Sequence, residues 1–431
     1  MESTLVVGIL IAAFVGLVVS WLFVAQRRTV TGPPPRAEKP STTSAKPTES
    51  SAKKATSHHS TKARSTEKGH SQQHHPLLLN TLKGHTDAIN GFCFTSNGRG
   101  LATASSDGVA RVFKLEDASS KNIKFLYLNL PSGNNPTAVA FGEGASQLVV
   151  ATENISGASL FMYAAAGGKA AAEAKVQGKL PPPEIKWEKH QVHDRRNIIS
   201  LASASASYGS GDGSIIIASC SEGTDIKLWS AADGKCLGTA DTNQLKNTMA
   251  TISRDGRFIA AAAFTADVKV WEIVYAKDGS VREVSKVMQL KGHKSAVTWL
   301  DFTHDSTGIV TASKDGTIRI WNINVRYHLD EDPKCLKVLP IPHQDSKGVT
   351  VHYDRIALSG DTKTLAVTHG STLQWLDLDS GTIIESIENA HDGLITGLAW
   401  SPEPLPTEKG RACIIATASL DKRVKLWFPP R

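Results

Sequence analysis

Beyond residue 76 the apolar positions recur at every second residue in short runs. In "RVKLW" (423–427) apolar Val424 and Leu426 alternate with Arg423 and Lys425, and "TIRIW" (317–321) repeats the alternation. Such runs, bounded by Gly, Asp, Ser and Asn, predict half-buried β-strands. The runs fall into longer units. "LKGHTDAINGFCFTSNGRGLATASSDGVARVF" (82–113) and "LKGHKSAVTWLDFTHDSTGIVTASKDGTIRIW" (290–321) align without a gap, and 389–427 follows the same plan around an insertion. Each has a His in a turn, an apolar strand, a second strand ending Thr-Ala-Ser, an Asp turn and a strand closing on an aromatic. Weaker copies close on Phe161, Trp229, Trp271 and Trp375; with Phe113, Trp321 and Trp427 this makes seven units.

These units resemble the WD repeats of β-propellers over roughly residues 76–431. The resemblance implies an all-β, seven-bladed WD-repeat propeller, each unit a four-stranded blade. It also implies buried hydrogen-bonded networks of His293, Thr311, Asp315 and Trp321, and of His391, Thr417, Asp421 and Trp427. The first unit supplies His85, Thr103 and Asp107 but ends in Phe113, so its network lacks an indole donor. In the third unit Gly223 occupies the place of the Asp, and the remaining units lack most of the set. In the family each repeat runs from one blade's outer strand into the next blade's inner three. The strand in "LLLNTLKGH" (77–85) then has no earlier blade to join, and the last unit lacks its outer strand. Residues 77–83 are expected to pair near 424–427 and close the ring, covering an otherwise open edge.

Before the repeats stand two segments of different character. Residues 5–25 carry no charge, and fourteen of them are Leu, Val, Ile or Phe. A helix of that length spans about 31 Å, the thickness of a hydrocarbon core, so a transmembrane signal-anchor is expected. The rival reading, a cleaved signal peptide, suffers from an n-region without Lys or Arg and from Phe23 where a small residue is wanted before a cut after Ala25. Arg27 and Arg28 follow the span, which places the C-terminal bulk in the cytosol. Asn154-Ile155-Ser156 is a glycosylation sequon that would be used only if the domain were lumenal. Residues 26–75 are rich in Ser, Thr, Lys, Pro and His and predict a disordered basic linker. Anionic lipid and RNA are the contacts such a linker could make.

Charge sharpens this division. The chain's net charge is +7, residues 26–75 hold ten Lys/Arg against three Glu, and Glu2 contributes −1, so 76–431 carries only about +1. A broad nucleic-acid footprint on the repeats is not indicated. The five cysteines are scattered without a C-x-x-C pair, which suits a reducing compartment. The His, Asp and Thr residues recur across units as scaffold residues do, so no catalytic group, cofactor, metal site or small-molecule substrate is expected. His190 and His193 in "KHQVHD" read as a loop between blades rather than metal ligands. "YGSGDGS" (208–214) has no following Lys-Ser/Thr and reads as a turn. Residues 164–183 read as an Ala/Gly/Lys insertion, either a frayed helix beside blade two or nothing ordered, and 325–334 and 401–411 as further loop insertions.

The stretch 241–279, with its "TNQ…NT" run and "ADVKVWE" (266–272), is similar to the transducin beta-like protein 2 family, as is the order of hydrophobic segment, basic spacer and propeller. That similarity implies a single-pass endoplasmic-reticulum membrane protein with a cytosolic propeller and a scaffolding role in stress signalling. The expected function is a membrane-tethered platform for protein partners on the propeller faces and loops. Competing readings are a nucleotide-exchange factor for a membrane-trafficking GTPase, a ubiquitin-ligase receptor, which lacks its W-D-x-R cue here, and RNA binding through the linker.

Overall fold

The computed structural model describes residues 75–142, 146–165, 183–341 and 351–430. The expected anchor at 5–25, Arg27, Arg28 and the linker up to residue 74 lie outside the described residues, as do 166–182 of the Ala/Gly/Lys insertion. Among the described residues no helix is long and apolar enough to cross a membrane.

Seven four-stranded antiparallel sheets form the blades. Six run consecutively through residues 89–129, 135–189, 198–241, 247–290, 297–340 and 355–387. The seventh combines Ile395–Trp400, Ile415–Ser419 and Val424–Trp427 with Leu78–Leu82 from the other end of the repeats. Leu78 stands opposite Trp427, Thr81 opposite Lys425 and Leu82 opposite Val424, and Phe428 N–H donates to Leu77 O at 2.8 Å. The expected closing strand is therefore present, and Pro429 and Pro430 follow where no further pairing is needed.

The first strand of each blade neighbours the first strands of the blades on either side, and these innermost strands complete a circle from blade seven back to blade one. Six of the seven carry a register shift close to their start, as at Ile89/Gly91 and Val297/Trp299. A bulge bends a strand and increases its twist, which suits strands crowded around an axis.

The core is not one mass but seven seams. Each apolar cluster joins two neighbouring blades: Met249, Val270 and Met288 meet Leu300, Ile309 and Trp321, and Leu82, Val424 and Leu426 meet Ile89, Leu101 and Phe113 across the closure. Second strands are buried on both faces, so their side chains supply two seams at once. In blade five Ile309 packs toward blade four, while Val310 and Ala312 pack toward blade six. This is why Gly308–Ser313 and Phe258–Ala263 are apolar almost throughout instead of alternating.

The insertion at 401–411 is not a plain loop. It folds into a hairpin, Leu405–Thr407 with Gly410–Ala412. Leu405 is fully buried in the seam between blades seven and one, Ala118 N–H donates to Pro406 O at 2.9 Å, and Glu408 N–H donates to Ser119 Oγ at 2.9 Å. Two of its neighbours lie almost 300 residues earlier, too far apart in sequence for local reading. The 325–334 insertion contains a short 3-10 turn, Tyr327–Leu329, whose Tyr327 hydroxyl donates to Glu272 and accepts from Arg257. Residues 208–214 form the expected turn between Ile198–Ser205 and Ile215–Ser221.

Candidate functional site

The polar residues singled out in sequence meet as triads and tetrads inside blades. In blade five His293 Nδ1 lies 2.9 Å from Asp315 Oδ2, Nε2 lies 2.7 Å from Thr311 Oγ1, and Trp321 Nε1–H donates to the same hydroxyl at 3.0 Å. Blade seven repeats this with His391, Asp421, Thr417 and Trp427 at 2.8, 2.7 and 2.8 Å. Blade one pairs His85 with Asp107 and Thr103, and Phe113 leaves the indole place empty as expected.

A carboxylate can only accept, so each Nδ1 carries the proton and each Nε2 is free to accept from the threonine hydroxyl. Every group is then satisfied with the histidine neutral. Burial lowers the pKa of His85, His293 and His391, with the aspartate opposing, in keeping with this assignment. Burial alone would raise the Asp315 carboxyl, but hydrogen bonds from Thr317, the Lys294 N–H and His293 bring it down to about 2. These groups satisfy one another and fix strand register.

The histidine turns show how the sequence meets its packing. Gly292 has φ 147°, and a Cβ there would meet Arg319 Nη1 at 2.5 Å. Blades three and seven have Val192 and Ala390 at that place and a lysine in place of the arginine. Lys227 Nζ and Lys425 Nζ donate to the carbonyls of Val192 and Ala390.

Blade three corrects the sequence reading. Gly223 does hold the backbone position of the missing Asp, since its N–H donates to Ser221 Oγ at 3.0 Å as Asp315 N–H donates to Ser313 Oγ at 3.1 Å. The carboxylate comes instead from Asp225, two residues on, 2.5 Å from His193 Nδ1. His193 Nε2 lies 2.7 Å from Ser219 Oγ, which accepts from Trp229 Nε1–H at 2.9 Å. His193 is thus a fully buried member of a fourth network. The available signal was Ser219, ten residues before Trp229 as Thr311 is before Trp321. His190 turns to Ser159 Oγ and Phe161, so the two histidines do not converge. Among the described residues no His, Cys, Asp and Glu cluster is arranged to hold a metal. In blade six Leu376, not Trp375, stands where Trp321 does in blade five; Trp375 faces the seam with blade seven, and its buried indole N–H meets no acceptor among the described residues. Asn154 is partly buried, donating to Asn134 Oδ1 at 2.9 Å, beside fully exposed Ile155.

A second set of polar residues was not anticipated. Near the start of the innermost strands, side chains bond across to the next blade's backbone. Asn90 Nδ2–H donates to Pro136 O, Thr248 Oγ–H to Val297 O, Thr298 Oγ–H to Tyr353 O, Arg355 Nε–H to Thr396 O and Thr396 Oγ–H to Ile89 O, at 2.5–2.9 Å. This belt surrounds one mouth of the central channel, on the face that carries the histidine turns. Within it, between blades four and seven, lies a cavity of about 410 Å3 lined by Phe264, Lys314, Arg355, Leu394 and Leu420 among others. Phe264, Leu394 and Leu420 are exposed apolar residues, 49%, 57% and 41% accessible, so this mouth offers contact area that a monomer leaves uncovered.

Seven blades closed by an N-terminal strand, with His–Thr/Ser–Asp–Trp networks, define a WD-repeat β-propeller. The family description "WD domain, G-beta repeat" matches residues 77–114, 284–322 and 382–427, the units in which the repeat is plainest. Human transducin beta-like protein 2 is 31% identical over 332 residues, 76% of this chain and 69% of that protein, and the mouse protein is 30% identical over 335 residues, 76% and 70%. The chain belongs to the transducin beta-like protein 2 family. A CCR4-associated factor 4 homolog of Candida glabrata is 27% identical over 183 residues, 41% of this chain and 31% of that protein.

Proposed function

We propose that the protein is a non-catalytic scaffold, tethered to the endoplasmic-reticulum membrane through residues 5–25 and presenting its propeller in the cytosol to protein partners, in stress signalling at that membrane. One observation carries the scaffold reading. The recurrent His, Asp and Thr/Ser residues of the repeats are bonded to one another inside blades, while the channel mouth exposes apolar side chains on the ring. The anchor, its orientation and the compartment rest on the uncharged span, on Arg27 and Arg28 and on family membership.

Proximity labelling from the intact protein, compared with a chain lacking residues 1–25, tests the tether. The proposal expects a membrane-associated partner set that the shortened chain loses, and identical sets would refute it. Orientation is read from Asn154. In intact microsomes the propeller should be open to added protease and Asn154 without glycan, whereas an endoglycosidase-sensitive mass shift lost in Asn154→Gln would invert the topology.

A further inference from the structure

The belt around the channel contains one anomaly. At equivalent places Thr248, Thr298 and Thr396 make the blade-to-blade bond with a neutral hydroxyl. In blade six Asp354 stands at that place, and the bond comes from Arg355, one residue further on at the register of Trp299, through Nε alone. The rest of the Arg355 guanidinium is stacked 4.8 Å from the Trp299 ring centre and lines the cavity. Among the described residues no carboxylate lies within ion-pair distance of it. The adjacent Asp354 lines the same cavity and acts on Arg355 from beyond ion-pair distance, its carboxylate accepting from Gly370 N–H at 2.8 Å and facing His352 and His369. Burial lowers the Arg355 pKa, so the cation is held where water solvates it poorly.

On the rim of the same cavity Lys314 lies 5.4 Å from the Phe264 ring centre, exposed and likewise without a carboxylate partner among the described residues. Two cations without an ion-pair partner among the described residues therefore stand beside exposed apolar side chains, with Asp354 the one carboxylate in the described lining. One N–H, the one on Nε, serves the belt, so the guanidinium's remaining planar donors are in excess of what that bond requires. Such a fork matches a carboxylate.

We propose that this mouth is a docking site for an extended partner segment in which an acidic residue stands beside apolar ones, the carboxylate seated on Arg355 and Lys314 and the apolar side chains on Phe264, Leu394 and Leu420. The proposal rests on the scaffold reading and adds the chemistry of the partner. The chain's own residues 26–75 are a poor occupant, since ten Lys/Arg against three Glu would meet like charge.

The test uses the full chain in detergent micelles and a phage-displayed library of short random peptides. Selected peptides should share an Asp or Glu flanked by apolar residues. Arg355→Gln puts an amide N–H as far along the side chain as the arginine Nε and keeps the belt bond, and Lys314→Glu changes an exposed side chain, so both should melt as the parent does. Each should weaken a selected peptide by about tenfold or more, as should replacing its acid by the amide. Peptides without an acidic consensus, no selection at all, or parent-like affinity in both variants would overturn the proposal. Partners found by proximity labelling that still bind both variants would overturn this site while leaving the scaffold reading in place.

Discussion

At the scale of single residues, stability should follow the protonation of the networks. Burial depresses the pKa of His85, His293 and His391, and His352 at the channel mouth is lowered by burial as well. A histidine whose folded pKa lies below its unfolded value near 6.5 contributes stability that is complete above that value and is lost as pH falls. The aspartates act in the same sense, but only below about 3.8, where the unfolded carboxyl begins to take its proton. The melting temperature should be level between pH 7 and 8 and decline below about 6.5; equal values at pH 7 and 5.5 would contradict neutral network histidines. The fourth network has its own test. Ser219→Ala leaves the Trp229 indole and His193 without their shared partner and should cost about 1–3 kcal/mol in urea unfolding, whereas Ser219→Thr supplies the hydroxyl that blades one, five and seven already use. Equal losses in the two variants would remove His193 from the network assignment.

Among the elements, the hairpin within 401–412 departs furthest from its sequence reading. Its composition is that of a loop, "SPEPLPTEKGR", and only Leu405 reaches the core. The strands around it were legible because their two-residue period is local. The hairpin was not, because what orders it is the surface of blade one. Leu405→Ala should destabilise the protein by about 2–5 kcal/mol, the range for emptying a buried leucine site, in contrast to a loop position, which would be near neutral. The belt was hidden for the same reason. Thr396 and the carbonyl of Ile89 are 307 residues apart, and a threonine after an apolar residue in a strand is too common to stand out. In blade three the sequence placed Gly223 correctly in the turn, but could not show that Asp225 reaches back to His193.

For the whole molecule, closure is the controlling feature. The seam between blades seven and one unites Leu82, Val424 and Leu426 with Ile89 and Leu101, so the two ends of the repeats share one core. Removing residues 76–83 strips the outer strand from blade seven, exposes the Val424–Trp427 edge and opens that seam. The shortened protein should melt at a clearly lower temperature and associate through the bared edge, seen as a shift to higher mass in light scattering. Unchanged melting and mass would show that the circle does not depend on its closing strand.

By itself the sequence determined the blade strands and the count of seven, because these are written in spacings within one repeat, and its resemblance to the WD-repeat family supplied the closing segment and three of the four histidine networks. The tertiary structure alone decided which residues complete the third blade's network, how the late hairpin binds the first blade, and that Arg355 faces the channel mouth without an ion-pair partner. Those outcomes depend on neighbours brought together by the ring, and a circular arrangement makes neighbours of positions that no local period relates.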